Sequence, residues 1–447
     1  MPTQRYKQLV DQFALQIRQG TLPAGKRLPP LRTLAKREGI ALVTATRVYA
    51  ELQAMGLVSG ETGRGTFVRD LDLPEGHGSW QKTLSTDALD LSFNYPLLGE
   101  ETQLLRQALG RMAHSGDLQA VLRYQPHAGR LHEREAIARY LQSQQVQVPK
   151  EQVLVVNGAQ HGLACTAIGL LRPGDVVAVD ALTYSGFKTL ALSLQLELLP
   201  LPMGKSTDQS DTIEALAGYC TQRKIRAVYC MPSIHNPTGR VMSLTQRERL
   251  VELARRHDLL LIEDAAYAFL ADPAPTPIVM LAPERTVHVA GFSKNIATGL
   301  RVGYVVAPRP WLGSIEKAIH ATAWNVPSLM TGLVCQWLND GTALHLQNRK
   351  RQDATARQQI AKQALQGLST DSHTQSYFVW LPLTGEARAD RIATELLAQG
   401  IAVSTAAPFA TTQQEPQALR LALGSVSYPD LEKALHTVRE VVQWNSL

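Results

Sequence analysis

Apolar positions in the first sixty residues recur at helical spacing. In "RYKQLVDQFALQIRQG" Tyr6, Leu9, Val10, Phe13 and Ile17 share one face and Gly20 follows, which predicts a helix. "LPPLRTLAKREG" predicts a second: Pro29 or Pro30 opens it, Leu31, Leu34 and Ala35 form its apolar face, and Gly39 stops it. "ALVTATRVYAELQAMGLV" predicts a third, with Val43, Val48, Leu52 and Met55 at helical spacing. Leu57-Val58 and Thr66-Phe67-Val68 then read as two short strands around a Gly-rich turn. Two short helices joined at Gly39-Ile40 have the proportions of a helix-turn-helix. In that arrangement the second helix enters the major groove and side chains near its start reach base edges. Here those are Thr44, Thr46 and Arg47, with Arg64 at the hairpin tip. The plain alternative is a three-helix domain with a hairpin and no DNA partner. Gly60 and Gly65 have phosphate-loop spacing, but Thr66 stands where that motif needs lysine, and no strand-loop-helix context surrounds it.

After residue 90 the rhythm changes. "QVLVVNG", "DVVAVD", "LELLPLPM", "IRAVYCMP", "DLLLIED" and "TVHVAGFSK" are short apolar runs, each ending on a polar residue or glycine. Segments of helical period such as "AQHGLACTAIGLL" and "LTQRERLVELARRHD" separate them. That alternation predicts a mainly parallel sheet covered by helices, with ligands gathered at the carboxyl ends of the strands. The chain therefore divides into a basic domain at 1–70, a Gly/Pro/Ser/Asp-rich connector at 71–90, and an α/β domain at 91–447. The last splits into a large part, about 91–325, and a smaller α+β part, about 326–447.

Charge sharpens the first division. Residues 1–70 hold 11 Lys+Arg against 5 Asp+Glu, while the remaining 377 residues hold 34 of each sign, so the whole excess of +6 lies at the N-terminus. A polyanion is the expected partner of such a surface, although a solvated basic face has the same composition. The cysteines, Cys165, Cys220, Cys230 and Cys335, form no CxxC pair, which argues against a disulfide framework or a metal site. "MPTQRYKQLVDQ" lacks the apolar run of a signal peptide, and no stretch suits a membrane span. A cytoplasmic protein is expected.

The strand ends supply the candidate chemistry. Gly158-Ala159-Gln160 opens a helix whose free N–H groups suit a phosphate. Asn236 stands on a Pro-fixed turn, Asp264 ends a wholly apolar strand with Tyr267 three residues on, and Ser293-Lys294 ends another with Arg301 seven residues on. Each alone has an ordinary reading: a strand-to-helix turn, a loop amide, a helix cap, a salt-bridged lysine. Together they are the inventory that pyridoxal 5'-phosphate requires. Arg301 and the helix start take the phosphate, Asp264 keeps the ring nitrogen protonated, Asn236 and Tyr267 hold the phenolic oxygen, and Lys294 forms the Schiff base.

"LPPLRTLAKREGIALVTATRVYAELQAMGLVSGETGRGTFV" resembles the winged helix of GntR-type bacterial regulators. The resemblance implies DNA contacts from Arg32, Thr44, Arg47, Arg64 and Gly65. Two departures stand out: Pro29-Pro30 replace small hydroxyl residues, and Ala41-Leu42 replace the Ser-Arg that often opens the recognition helix. "YQPHAGRLHEREAIARYL", "NGAQHGL", "TYSGFK", "HNPTG", "EDAAY", "SKNIATGLRVGY" and "LRLALGS" occur in the order found in fold-type-I aminotransferases. That likeness implies that Tyr184 stacks on the cofactor ring, that Arg420 binds a substrate carboxylate with Asn236 beside it, and that Tyr124 reaches a neighbouring subunit's phosphate in a homodimer. Gly291 departs from the Ser or Thr usual three residues before the lysine. The fusion of both halves resembles the MocR group of transcription regulators. It implies operator DNA as partner and an effector, either an amino compound or the cofactor itself. The alternative is a working aminotransferase acting on an amino acid and a 2-oxo acid. Half-transamination is expected to be chemically possible in either case.

Overall fold

The computed structural model describes residues 2–18, 21–23, 26–61, 65–68, 88–96, 98–115, 118–203, 210–385, 387–412 and 415–446. Most of the expected connector lies outside them. Three helices, α1 (Pro2–Arg18), α2 (Leu31–Glu38) and α3 (Leu42–Ala54), pack with the hairpin β1 (Val58–Glu61) and β2 (Gly65–Val68). Their core is Tyr6, Leu9, Val10, Phe13, Leu34, Ala45, Val48, Tyr49, Leu52 and Met55, joined by Val58 and Val68 of the hairpin. α2 stops because Gly39 adopts a left-handed conformation, φ 63°, which costs glycine nothing. One residue departs from the sequence pattern. Val43 is 80 % exposed rather than inward. The inward stripe of α3 begins at Ala45 and continues at Val48, Tyr49 and Leu52, and Val43 falls outside its arc.

The large sheet has seven strands: β4 (Val153–Val156), β5 (Val176–Asp180), β6 (Glu197–Leu201), β7 (Ala227–Cys230), β8 (Leu260–Asp264), β9 (Thr286–Gly291) and β10 (Gly303–Val306). Their order is β4-β10-β9-β8-β7-β5-β6, and only β10 runs antiparallel to its neighbours. β4, β7, β8 and β10 are buried at every position, because helices cover both faces of the sheet. This explains why they appear in the sequence as unbroken apolar runs.

A second sheet joins β11 (Phe378–Pro382), β12 (Ile401–Thr405) and β13 (Ala418–Ala422) in the order β11-β13-β12, and β3 (Leu89–Leu91) adds to β12 in parallel. Residues 89–91 thus join the C-terminal subdomain, and the chain then runs from it into the large one. The winged helix rests on the same subdomain. Lys7 donates to the Gly385 carbonyl at 2.7 Å, Asp11 meets Arg388 at 3.2 Å, and Glu51 meets Arg391 at 3.8 Å. No described helix is long and apolar enough to cross a membrane, and the four cysteines are unpaired.

Candidate functional site

Strand pleating sends neighbouring side chains to opposite faces, and β8 shows the consequence. Glu263 and Asp264 are both buried. Glu263 accepts from the amides of Ile278 and Val279 at 3.0 Å each and pairs with His288 at 2.9 Å. Burial pushes its carboxyl up, but His288 and these donors bring it below the ordinary value. Asp264 faces the other way. It accepts from the Tyr229 hydroxyl at 2.8 Å and the Ala266 amide at 3.0 Å, and it has no ion pair among the described residues. Burial therefore prevails and raises its pKa. A buried carboxylate with hydrogen bonds but no cation is positioned for a cationic ligand.

Lys294 follows the end of β9. Its Nζ donates to the backbone oxygen of Asn94 at 3.0 Å and lies 5.8 Å from the centre of the Tyr267 ring. Burial, with the charges of Arg420, Arg301 and Lys350, lowers its pKa to about 8. Arg420 on β13 is buried, sandwiched between the rings of Phe378 and Phe409 at 5.3 and 5.1 Å. Its Nη2 donates to Ser404 Oγ at 2.9 Å and to the Ser92 carbonyl, leaving Nε without a partner among the described residues. Asn236 is buried with its Oδ1 likewise unpartnered.

A third group forms at the start of the helix Gly158–Leu170. Gly158 has φ +81°, and a Cβ there would stand 2.9 Å from Arg301 Nη2, so glycine both permits the turn and leaves room for the guanidinium. Arg301 also donates to Ser293 Oγ at 3.3 Å. At Gly291 a Cβ would lie 3.1 Å from the Ala159 amide nitrogen and 3.2 Å from the Val302 oxygen. The strand backbone lies close to the helix start there, so a side chain at this position needs its neighbours to give by a few tenths of an ångström. Gln160 spans the helix start, donating to the Gly186 carbonyl at 2.9 Å. Tyr184 precedes the helix Ser185–Ser193, and burial with the nearby Asp264 pushes its hydroxyl up to about 12.

The structure thus gathers Gly158, Ser293 and Arg301 in one group, and Lys294, Tyr267 and Arg420 in another, with Asp264 on the adjoining strand end. Tyr124 makes no contact with these groups among its described interactions. It is 85 % exposed, its ring 5.4 Å from that of Trp324. In the winged helix Arg32, Thr46 and Arg47 are exposed, Thr44 is half-buried, and Arg64 lies outside the described residues. Gly65 packs beside Arg27, whose Nε would be 2.7 Å from a Cβ at that position. Three residues escaped the sequence reading. Asn94 receives Lys294 and also accepts from the Gly424 amide at 2.9 Å. Tyr229 holds Asp264 and stacks on Phe187, centroids 3.8 Å apart. Arg247, fully buried, pins the loop before Asn236. Only the apolar context of Tyr229 marked it, and nothing in the local sequence marked the other two.

Fold and site define a fold-type-I aminotransferase body behind a winged helix. Residues 86–438 match the family Aminotransferase class I and II, and residues 5–68 match the family of bacterial regulatory proteins known as gntR. The chain belongs to the class I and II aminotransferase family and carries a GntR domain at its start. It is 28% identical to the uncharacterized HTH-type transcriptional regulator YdeF of Bacillus subtilis over 443 residues, covering 98% of this chain and 94% of that one. It is 27% identical to the probable rhizopine catabolism regulatory protein MocR of Rhizobium meliloti over 378 residues, covering 77% and 74%. Among solved structures, an archaeal alanine:glyoxylate aminotransferase superposes with a TM-score of 0.75 at 21% identity, over 80% of this chain and 92% of that one. LysN, the alpha-aminoadipate aminotransferase of Thermus thermophilus, superposes with a TM-score of 0.75 at 22% identity, over 82% and 96%.

Proposed function

We propose that this protein is a DNA-binding transcription regulator whose large domain holds pyridoxal 5'-phosphate on Lys294 and transmits the state of that site to the winged helix. The observation that carries the reading is Asp264, buried without a cationic partner in a site that also holds Lys294 and Arg301. The residues fit the cofactor. Arg301 and the amides at Gly158-Ala159 suit its phosphate, the Asn236 Nδ2–H group suits its phenolic oxygen, and Asp264 suits a protonated ring nitrogen. When bound, the cofactor supplies an aldehyde for an amine and a ring that withdraws electrons. Tyr184 covers the ring, Tyr267 and Asn236 hold its phenolic oxygen, and Arg420 with Asn236 receives a carboxylate of the effector. Tyr124 completes the phosphate site of a second copy in a homodimer. Arg32, Thr44, Thr46, Arg47, Arg64 and Gly65 face DNA. The names of YdeF and MocR, both regulators, support the same role.

The winged helix touches the subdomain that carries Arg420 on β13, which gives coupling a physical route. Arg388 is its centre: it is buried, bonded to Asp11 through Nη1, and has Nε and Nη2 unpartnered among the described residues. Arg388→Gln is expected to leave the cofactor's absorption spectrum unchanged while abolishing the change in DNA affinity on adding cofactor or amine. Anisotropy titrations with and without pyridoxal phosphate check this.

Capture of the cofactor has a pH dependence of stated sign. Only the neutral amine attacks an aldehyde, and with a pKa of about 8 Lys294 is neutral in about a quarter of molecules at pH 7.5, against ~0.1 % for an ordinary lysine. Stopped-flow absorbance of the apoprotein mixed with pyridoxal phosphate is expected to show a rate rising from pH 7 to 9 and flat above. A rate still climbing tenfold per unit at pH 10 contradicts the lowered pKa.

A second reading, a working aminotransferase, is favoured by Arg420, whose buried Nε is free for a carboxylate between two phenylalanine rings. Spectra under single turnover and with a 2-oxo acid in excess separate the two. Sustained turnover without binding to DNA upstream of the gene overturns regulation as the main role.

A further inference from the structure

The first turn of α3 presents carbon where a DNA reader normally presents nitrogen and oxygen. Leu42 and Val43 are 46 % and 80 % exposed, and Ala41 before them is exposed too. Thr46 is exposed one turn later, but its hydroxyl donates back to the Leu42 carbonyl at 3.0 Å. That bond uses its only proton within the helix, and the γ-methyl remains as its other outward group. Arg47 lies with its guanidinium carbon 4.5 Å from the centre of the Tyr6 ring, which draws it back against the domain's own surface. Ala41, at the N-cap, makes no side-chain cap. Leu42 and Thr46 are four residues apart and so neighbour each other on the helix surface, and Val43 is exposed beside Leu42 at the helix start.

Around these groups the surface is basic, with exposed Arg32 and Lys36 on α2 and exposed Arg27 beside the hairpin. The charge fits an anionic partner, and the apolar groups lie within it. In the major groove of DNA one base carries a carbon substituent, the C5-methyl of thymine, and aliphatic side chains distinguish it from every other base edge. We propose that α3 reads its operator mainly through thymine methyl groups, with Leu42, Val43 and the Thr46 methyl as the reading surface. The inference rests on the proposal above that the winged helix grips duplex DNA, and adds to it the chemistry of the sequence recognised. The half-site carries two or three thymines on the strand edge facing α3, and a guanine-reading arginine has no counterpart there.

The test replaces thymine by uracil, which removes the methyl and leaves base pairing intact. Full-length protein selects from a pool of random 30-base-pair duplexes, and the enriched duplex is resynthesised with one dU for dT at a time. Affinities are measured at a single salt concentration, since phosphate contacts make them salt-dependent. Each methyl buried against Leu42 or Val43 is expected to weaken binding about fourfold when removed. In Leu42→Ser and Val43→Ser the difference between dT and dU duplexes is expected to vanish at the matching position. Both residues are exposed, so the variants keep their fold, as circular dichroism and the cofactor spectrum verify. If the enriched duplex binds equally well with dU at every position, methyl reading is wrong although DNA binding stands. If nothing is enriched over the pool, the DNA-binding proposal fails, and the inference with it.

Discussion

Lys294→Ala is expected to bind pyridoxal phosphate without any covalent link, so that borohydride fixes no cofactor to the protein and the absorption band of the bound form is absent. The loss is complete rather than graded, since no other described lysine occupies Lys294's place. Lys350, fully buried, is committed to Glu101 at 3.6 Å and to the Ile296 carbonyl. The fold survives the change. The amine is a desolvated cation whose pKa has fallen to about 8, so deleting it removes an unfavourable charge. The single hydrogen bond lost is to the Asn94 oxygen, about 1 kcal/mol in net terms. Thermal unfolding of the apoprotein is therefore expected to move by no more than a few degrees, while the response of DNA affinity to an amine disappears. An unchanged borohydride-fixed adduct in the variant would show that another group carries the cofactor. A protein that no longer folds would show that Lys294 is structural.

The parts of this site that local sequence revealed are those where the physics is local. Asp264 and Lys294 end apolar runs, and a charge in that position is conspicuous because burial penalises it. Gly39 and the helical face of α1 were legible for similar reasons, since a left-handed turn and a 3.6-residue period depend on few residues. Val43 misled because it is apolar, although five residues place it about 140° round the helix from Val48 and so off the buried stripe of Ala45, Val48, Tyr49 and Leu52. β3 has only three residues, too few for a period of two to show, and its place in the C-terminal sheet depends on β12, some 310 residues later in the chain. Asn94 is invisible for the same reason. Its backbone oxygen meets a lysine 200 positions away, and no feature of "FNYP" announces it. Tyr229 resembles any buried strand aromatic until Asp264, 35 residues on and at the end of the neighbouring strand, comes within 2.8 Å of its hydroxyl. The family resemblance supplied Tyr184, Arg420 and Tyr124, none of which its own surroundings in the sequence singled out.

Arg247→Met has the largest expected effect on stability, and it reaches the site from outside. The Arg247 guanidinium donates to the carbonyls of Met242 at 3.0 Å, Pro275 at 3.2 Å, Thr276 at 3.1 Å and Pro232 at 2.8 Å, and to Ser233 Oγ at 2.8 Å. It thereby ties the helix Leu244–Arg256 to two loops, one leading to Asn236 and one leading to the helix Ile278–Leu281 whose amides hold Glu263. Methionine fills similar space and donates nothing, so four carbonyls and the Ser233 hydroxyl lose a donor in a dry setting, and among the described residues only the Pro232 carbonyl keeps another, the Met242 amide at 2.8 Å. Each orphaned acceptor costs about 1–3 kcal/mol, and some recover water, which leaves a loss on the order of 4 kcal/mol. In an α/β domain of roughly 350 residues that is a fall in Tm of about 5 °C. Because the Pro232-Ser233 end of the loop is released, Asn236 loses its fixed position, and the affinity for pyridoxal phosphate is expected to drop with stability. Arg247→Lys separates the two effects. One ammonium has three donors for five acceptors, so it restores part of the stability, while only the planar fork reaches both loops at once. Differential scanning calorimetry paired with cofactor titration reads both quantities. If Arg247→Met melts with the parent protein, the five hydrogen bonds do not hold the loops, and the cofactor turn is fixed by something other than this guanidinium.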